Sequence, residues 1–218
     1  MSKMKMPRTE TVTITTIDGP VVPNALDKHS ATEVLGSALD ILGFKWHEDP
    51  STHRTPERFI NYLMEFMQPY RLHDIIGTGF EHNSDDEVSI HGLVLQTYIP
   101  YVAICEHHLL PFYGEAFIGY VPNSRVIGLS KMARLVHAVG HERPGLQEAH
   151  TEMIADAMFK ALNSKGSMCV IRATHTCMSC RGITAIGAKT TTSCIRGIFR
   201  DVPAVRDEFL SLAGLHHA

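Results

Sequence analysis

Two short segments concentrate the metal-binding side chains of this sequence. Cys105-Glu106-His107-His108 sets a cysteine and a histidine three residues apart, and much later His175-Thr176-Cys177-Met178-Ser179-Cys180 adds a histidine and two more cysteines. Thiolate and imidazole ligands suit zinc, and the C-x-x-H spacing lets two side chains turn toward one ion. Two arrangements use these residues. In an open site Cys105, His108 and Cys177 hold the metal and water takes the fourth position, the catalytic form; in a closed site Cys180 completes a Cys3His tetrahedron, the structural form. The gap between the pairs is far longer than in a zinc finger. His107 and His175 also adjoin the ligands without a structural site needing them, so the open form is favoured. Cys169 and Cys194 lie inside stretches that read as strands and are taken as small buried hydrophobes.

The elements that must position these segments are legible in the periodicity. Ser30 followed by Glu33 has the capping-box pattern; Val34, Leu35, Ala38, Leu39, Ile41 and Leu42 then repeat at helical spacing up to Gly43. A second helix opens at Thr55-Pro56-Glu57, with an apolar face of Phe59, Ile60, Leu63, Met64 and Met67, and Pro69 stops it. Gly77 to Glu87 reads as a loop. From His91 the period changes: His91–Ile104 and Phe112–Val121 are β-branched and aromatic, as are Met168–Ala173 and Thr190–Phe199. Between the two pairs lie helical stretches at Leu129–His141 and Leu146–Asn163, the second with Ile154, Ala157, Met158, Ala161 and Leu162 on one face. Pro203–Leu212 closes the chain as a short helix. The order ββααββ predicts an α+β fold: an antiparallel four-stranded sheet with helices on one face, preceded by an N-terminal helical pair. The ligand segments then fall at strand ends, where loops converge. The sequence divides into an N-terminal arm (1–28), a helical region (29–75) and a sheet-bearing domain (76–218).

Bulk properties bound the function. A chain of 218 residues buries roughly 70% of its unfolded surface, enough for a core without staples. The net charge of −3 argues against a nucleic-acid partner. No signal peptide opens the chain and no window approaches a membrane span. Five cysteines, an odd number, do not make a secreted disulfide framework. The expectation is a reduced, cytoplasmic protein.

Taken in order, Cys105-Glu106-His107-His108, Gly128-Leu129-Ser130-Lys131, Arg143-Pro144 with Gln147-Glu148, His175-x-Cys177 and Arg181-Gly182 resemble the GTP cyclohydrolase I family, from about Ser30 to Leu212. The resemblance implies the tunnelling fold, assembled as a homodecamer of two stacked pentamers with active sites between subunits. It implies zinc on Cys105, His108 and Cys177, and conversion of GTP to 7,8-dihydroneopterin triphosphate with release of formate, a first step toward folates, other pterins or deazapurines. His107 would be the acid that protonates N7 of guanine while water adds at C8, and His175 would transfer protons during ring opening. Ser130 would sit near ribose or phosphate. Glu148, with Gln147 beside it, would read the guanine N1–H and 2-amino group, and Lys131, Arg134, Arg181 and Arg58 would hold the triphosphate. Cys180 stands where the family usually carries a small or apolar residue, which keeps the closed site, or a redox pair with Cys177, in play. Another tunnelling-fold purine or pterin enzyme, and a non-catalytic zinc-stabilised assembly module, are the rival readings.

Overall fold

The computed structural model describes residues 25–68, 70, 72–76, 80–81, 92–123 and 125–215. Most of the expected amino-terminal arm and of the Gly77–Glu87 loop, together with Pro69, lies outside them. The chain begins with a helical pair, α1 (Ala25–Ile41) and α2 (Thr55–Glu65). Helix α1 starts five residues before Ser30, so Ser30 lies inside the helix and the capping box read there does not form. Its end is as the sequence implied. Gly43, at φ 84°, donates to Asp40 and Phe44 donates to Leu39, the paired bonds of a Schellman motif that needs a left-handed residue. The apolar stripe of α1 is only partly covered: Val34, Ile41 and Leu42 are 70–86% exposed, because α2 is the helix packed against it. In α2, Pro56 occupies the first turn and is buried. Phe59 and Met67 stay exposed, and the aromatic that reaches the core is Phe66, stacked on His141 at 4.5 Å.

A short helix α3 (Leu72–Ile76) and a two-residue strand β1 (Phe80–Glu81) lead into the long strands β2 (Val94–Ile104) and β3 (Pro111–Val121). After β4 (Arg125–Val126), which pairs with β1, come α4 (Leu129–Glu142) and α5 (Gln147–Ala161). Then follow β5 (Gly166–His175), the single turn α6 (Thr176–Ser179), β6 (Thr190–Gly197), α7 (Ile198–Asp201) and α8 (Pro203–Leu212). The sheet order is β2-β3-β5-β6, antiparallel throughout. The ββααββ order is therefore realised with strands in sequence order and the helix pair crossing between the middle two.

Alternation along the strands separates two cores. One face sends Tyr101, Ala103, Phe112, Ala116, Ile118, Tyr120, Cys169 and Ile171 against Met132, Leu135, Val136 and Val139 of α4 and Ile154 and Met158 of α5. Cys169 and Cys194, opposite one another in register, are buried there as expected. The other face is not left bare. Phe199 of α7 and Phe209 of α8 cover Phe117, Val121, Met168 and Val170 at one end of the sheet. The long helices lie on one face; this smaller cap on the second was not anticipated.

The direction of α4 fixes which side chains share an end. Its start adjoins the Tyr120 end of β3, where the Ile127 amide donates to the Tyr120 hydroxyl at 3.0 Å. Its last turn presses on β2 so closely that a Cβ on Gly140 would sit 2.3 Å from the Val102 carbonyl oxygen.

Candidate metal centre and active site

Register places the two ligand segments side by side. Strand β3 lies between β2 and β5, and Phe112 pairs with Ala103 on one side and His175 on the other. Cys105 follows β2 directly. Its amide donates to the Leu110 carbonyl, and a backbone bridge to Gly145 holds it, with Gly145 donating to Ile104 at 2.9 Å. Cys177 sits in α6, just past β5, where the Thr176 hydroxyl anchors that turn to the Pro111 carbonyl. The result is a cluster in which one ligand atom each from Cys105, His108 and Cys177 lies within 4.8 Å of the others. Tetrahedral zinc with Zn–S of about 2.3 Å and Zn–N of about 2.0 Å needs donors roughly 3.5–3.8 Å apart, so the set fits that ion with small rotamer adjustments. Burial and the neighbouring Cys105 sulfur raise the Cys177 thiol above its ordinary value, and Arg181 pulls the other way; a dication between the sulfurs removes that conflict. Cys180 is exposed and is not part of the cluster, so the closed Cys3His arrangement is not the one formed.

Beside the cluster, His175 is oriented rather than free. Its Nε2 lies 2.8 Å from Gln147 Oε1. The Gln147 amide nitrogen faces the carbonyls of Ile171 and Thr190, both at 3.0 Å, and the Thr192 hydroxyl. That side must donate, so Oε1 accepts and His175 Nε2 carries the proton, leaving Nδ1 as the acceptor of the neutral ring. Phe112 stacks on the ring at 4.4 Å. Burial lowers the His175 pKa from its ordinary value, and the Glu148 carboxylate nearby opposes that shift. Gln147 is 1% exposed, and its side-chain amide is committed to the sheet and to His175. Glu148 is exposed in the first turn of α5, and His107 is exposed in the β2–β3 turn beside His108.

The remaining expected residues divide. Arg181 is close enough to act on Cys177. Ser130, Lys131 and Arg134 occupy the first half of α4, at the Tyr120 end of the sheet. The Phe112–Tyr120 span of β3 is about 26 Å at roughly 3.3 Å per residue, so one chain does not bring them to the metal cluster. Arg58, on α2, donates to the Ser51 carbonyl in the loop before that helix.

Sequence reasoning missed one buried group altogether. His150 is 3% exposed and its Nδ1 lies 2.7 Å from the Tyr101 hydroxyl, itself buried. The signal was present: Gln147, His150 and Thr151 extend the buried stripe of Ile154 and Met158 by helical spacing. Burial, helped by Arg143, lowers the His150 pKa to about 4. Unfolding returns the ring to its ordinary value near 6.5, so between pH 6.5 and 4 the unfolded chain binds the extra proton and stability falls as pH falls. The loss is on the order of 3 kcal/mol. Urea unfolding of metal-free protein at pH 7.5 and 4.5 should show it, and His150→Leu should shrink the difference between the two pH values.

Comparison with known proteins gives this geometry a context. The family described as GTP cyclohydrolase I matches residues 33–214. The chain belongs to the GTP cyclohydrolase I family. GTP cyclohydrolase 1 of Thermobifida fusca is 36% identical over 202 residues, covering 89% of this chain and 92% of its own length. GTP cyclohydrolase 1 of Mycolicibacterium paratuberculosis is 42% identical over 183 residues, covering 81% and 86%. A solved structure, the archaeosine synthase QueF-Like in the apo form, aligns with TM-score 0.39 and 16% identity over 48% of this chain and 93% of that one; that likeness carries no argument. The four-stranded antiparallel sheet with its crossing helix pair is consistent with the tunnelling fold of GTP cyclohydrolase I. No described helix is long and apolar enough to cross a membrane.

Proposed function

We propose that this chain is a zinc-dependent GTP cyclohydrolase I, converting GTP and water to 7,8-dihydroneopterin triphosphate and formate. The observation that carries the reading is the Cys105–His108–Cys177 cluster beside an oriented His175, within a member of this family. Zinc, when bound, supplies Lewis acidity and lowers the pKa of a water bound to it to about 7. Cys105, His108 and Cys177 would hold it. His107, exposed in the same turn, gives a proton to guanine N7, making C8 electron-poor enough for water to add. His175, with its Nε2 proton held by Gln147, offers Nδ1 to take and return protons as the ring opens. Glu148 accepts from the guanine N1–H and 2-amino group, a donor pair adenine lacks.

The phosphate-binding residues call for a second subunit. Ser130, Lys131 and Arg134 stand at the far end of the sheet from the cluster, while Arg181 stands at the near end. A neighbouring copy that presents its Tyr120 end would complete the pocket, with Arg58 as a further cation. The two outer strands, β2 and β6, have no further partner among the described residues, and free edges favour such pairing. This agrees with a homodecamer whose active sites lie between subunits. We further assign residues 1–28 to an arm, from whose end α1 springs at Ala25, 29–75 to a helical region and 76–218 to the catalytic domain. Five free thiols suit the cytoplasm.

The test is incubation of zinc-loaded protein with GTP, ATP or ITP, scoring formate and, after oxidation, a fluorescent pterin. Formate should appear with GTP and not with ATP. ITP, which lacks the 2-amino group, should react poorly, and Glu148→Ala should narrow the gap between GTP and ITP. Absence of formate from zinc-loaded protein and GTP would end this reading.

A further inference from the structure

We infer that Cys180 is an oxidative modification site whose product, a Cys177–Cys180 disulfide, withdraws one metal ligand and switches the site off. The inference rests on the zinc reading above and extends it to control of the same site by hydroperoxides. Cys177 and Cys180 form a C-x-x-C pair on one helical turn. The Cys180 amide donates to the Thr176 carbonyl at 2.9 Å, and Cys180 itself has helical φ and ψ of −98° and −6°. Three helical steps rise about 4.5 Å and rotate about 300° on a cylinder of radius about 2.3 Å, setting the Cα atoms about 5 Å apart. Disulfides span Cα separations of about 4.4–6.8 Å, so the pair lies within bridging range.

Exposure assigns the order of events. Cys180 is exposed, Cys177 is half-buried and Cys105 is 6% exposed. Cys180 is also outside the metal cluster, so no ion caps its sulfur. It is the thiol an incoming oxidant meets first. The Cys180 sulfur attacks the O–O bond of hydrogen peroxide, giving a sulfenic acid and one water. The Cys177 thiolate then attacks Cys180 Sγ and displaces hydroxide, which takes a proton from solvent and leaves as a second water. In sum one thiol, one thiolate, one proton and one peroxide become one disulfide and two waters, the sulfurs giving up the two electrons that the peroxide oxygens accept. Cys177 then no longer has a thiolate for the metal, and Cys105 and His108 alone hold it weakly. A thiol reductant reverses the change, because α6 is anchored by Thr176 and not by the bridge.

The competing outcome is a disulfide between the two ligand sulfurs, Cys105 and Cys177, which are also neighbours. The experiment titrates zinc-loaded wild type, Cys180→Ala and Cys180→Ser with hydrogen peroxide. Zinc release is followed with a colorimetric chelator, and disulfides are mapped by peptide mass spectrometry. Wild type should release zinc with a Cys177–Cys180 linkage and rebind it after reduction. Both variants should begin with the same zinc content and formate release, yet need at least about tenfold more peroxide to lose the metal. Equal sensitivity of all three proteins, or a mapped Cys105–Cys177 bridge, overturns the inference and leaves the zinc reading standing. Protein that holds no zinc before peroxide is added overturns the zinc reading itself.

Discussion

Cys177→Ser should leave the protein folded, empty of zinc and without formate release. Cys177 is one of three ligands on the clustered site, so its loss should weaken zinc by more than the roughly 10–100-fold that removal of an outer-sphere partner costs. The core does not depend on it. The sheet–helix cluster is built from Tyr101, Phe112, Ile118, Leu135 and Ile154, with Cys177 packed only at its margin. Zinc measured by atomic absorption should fall to background while far-UV circular dichroism stays that of the parent. A variant that unfolds together with its metal loss would instead mark the site as a structural staple.

His175→Asn should show the opposite division: zinc retained and turnover lost. The imidazole is outside the ligand set, yet it is fixed by Gln147 at 2.8 Å and by stacking on Phe112. An asparagine cannot carry a proton back and forth near neutral pH. General acid–base groups contribute about 10²–10⁴ in rate, so kcat should fall by that range while zinc content is unchanged and KM for GTP moves little. Steady-state kinetics on protein of known zinc content decides this; a variant with wild-type kcat would remove His175 from the chemistry.

Much of this architecture could be read from residue types. β-Branched and aromatic runs located all four long strands, and Pro203–Leu212 and the α4 boundaries were found within a residue or two, because composition and helical spacing are local signals. The ligand set was legible for the same reason, since strand ends force Cys105, His108 and Cys177 together. What escaped were features set by long-range contact. Ser30 and Glu33 satisfy a capping pattern, but Ala25–Lys28 already continue the helix upstream, and a local motif carries no information about that. Gln147 entered as a base contact through the family resemblance, beside Glu148. Its true surroundings, the Ile171 and Thr190 carbonyls, belong to strands more than twenty residues away. The division of Lys131 and Arg134 from Arg181 depends on which way α4 runs along the sheet, and no spacing rule states that.

Zinc titration into metal-free protein, with formate measured at each addition of metal in the presence of GTP, tests the central claim most directly. The account predicts formate release that rises with zinc and breaks at one equivalent per chain, with no such rise for Cys177→Ser. Formate produced equally by fully chelated protein, or none at saturating zinc, would contradict it.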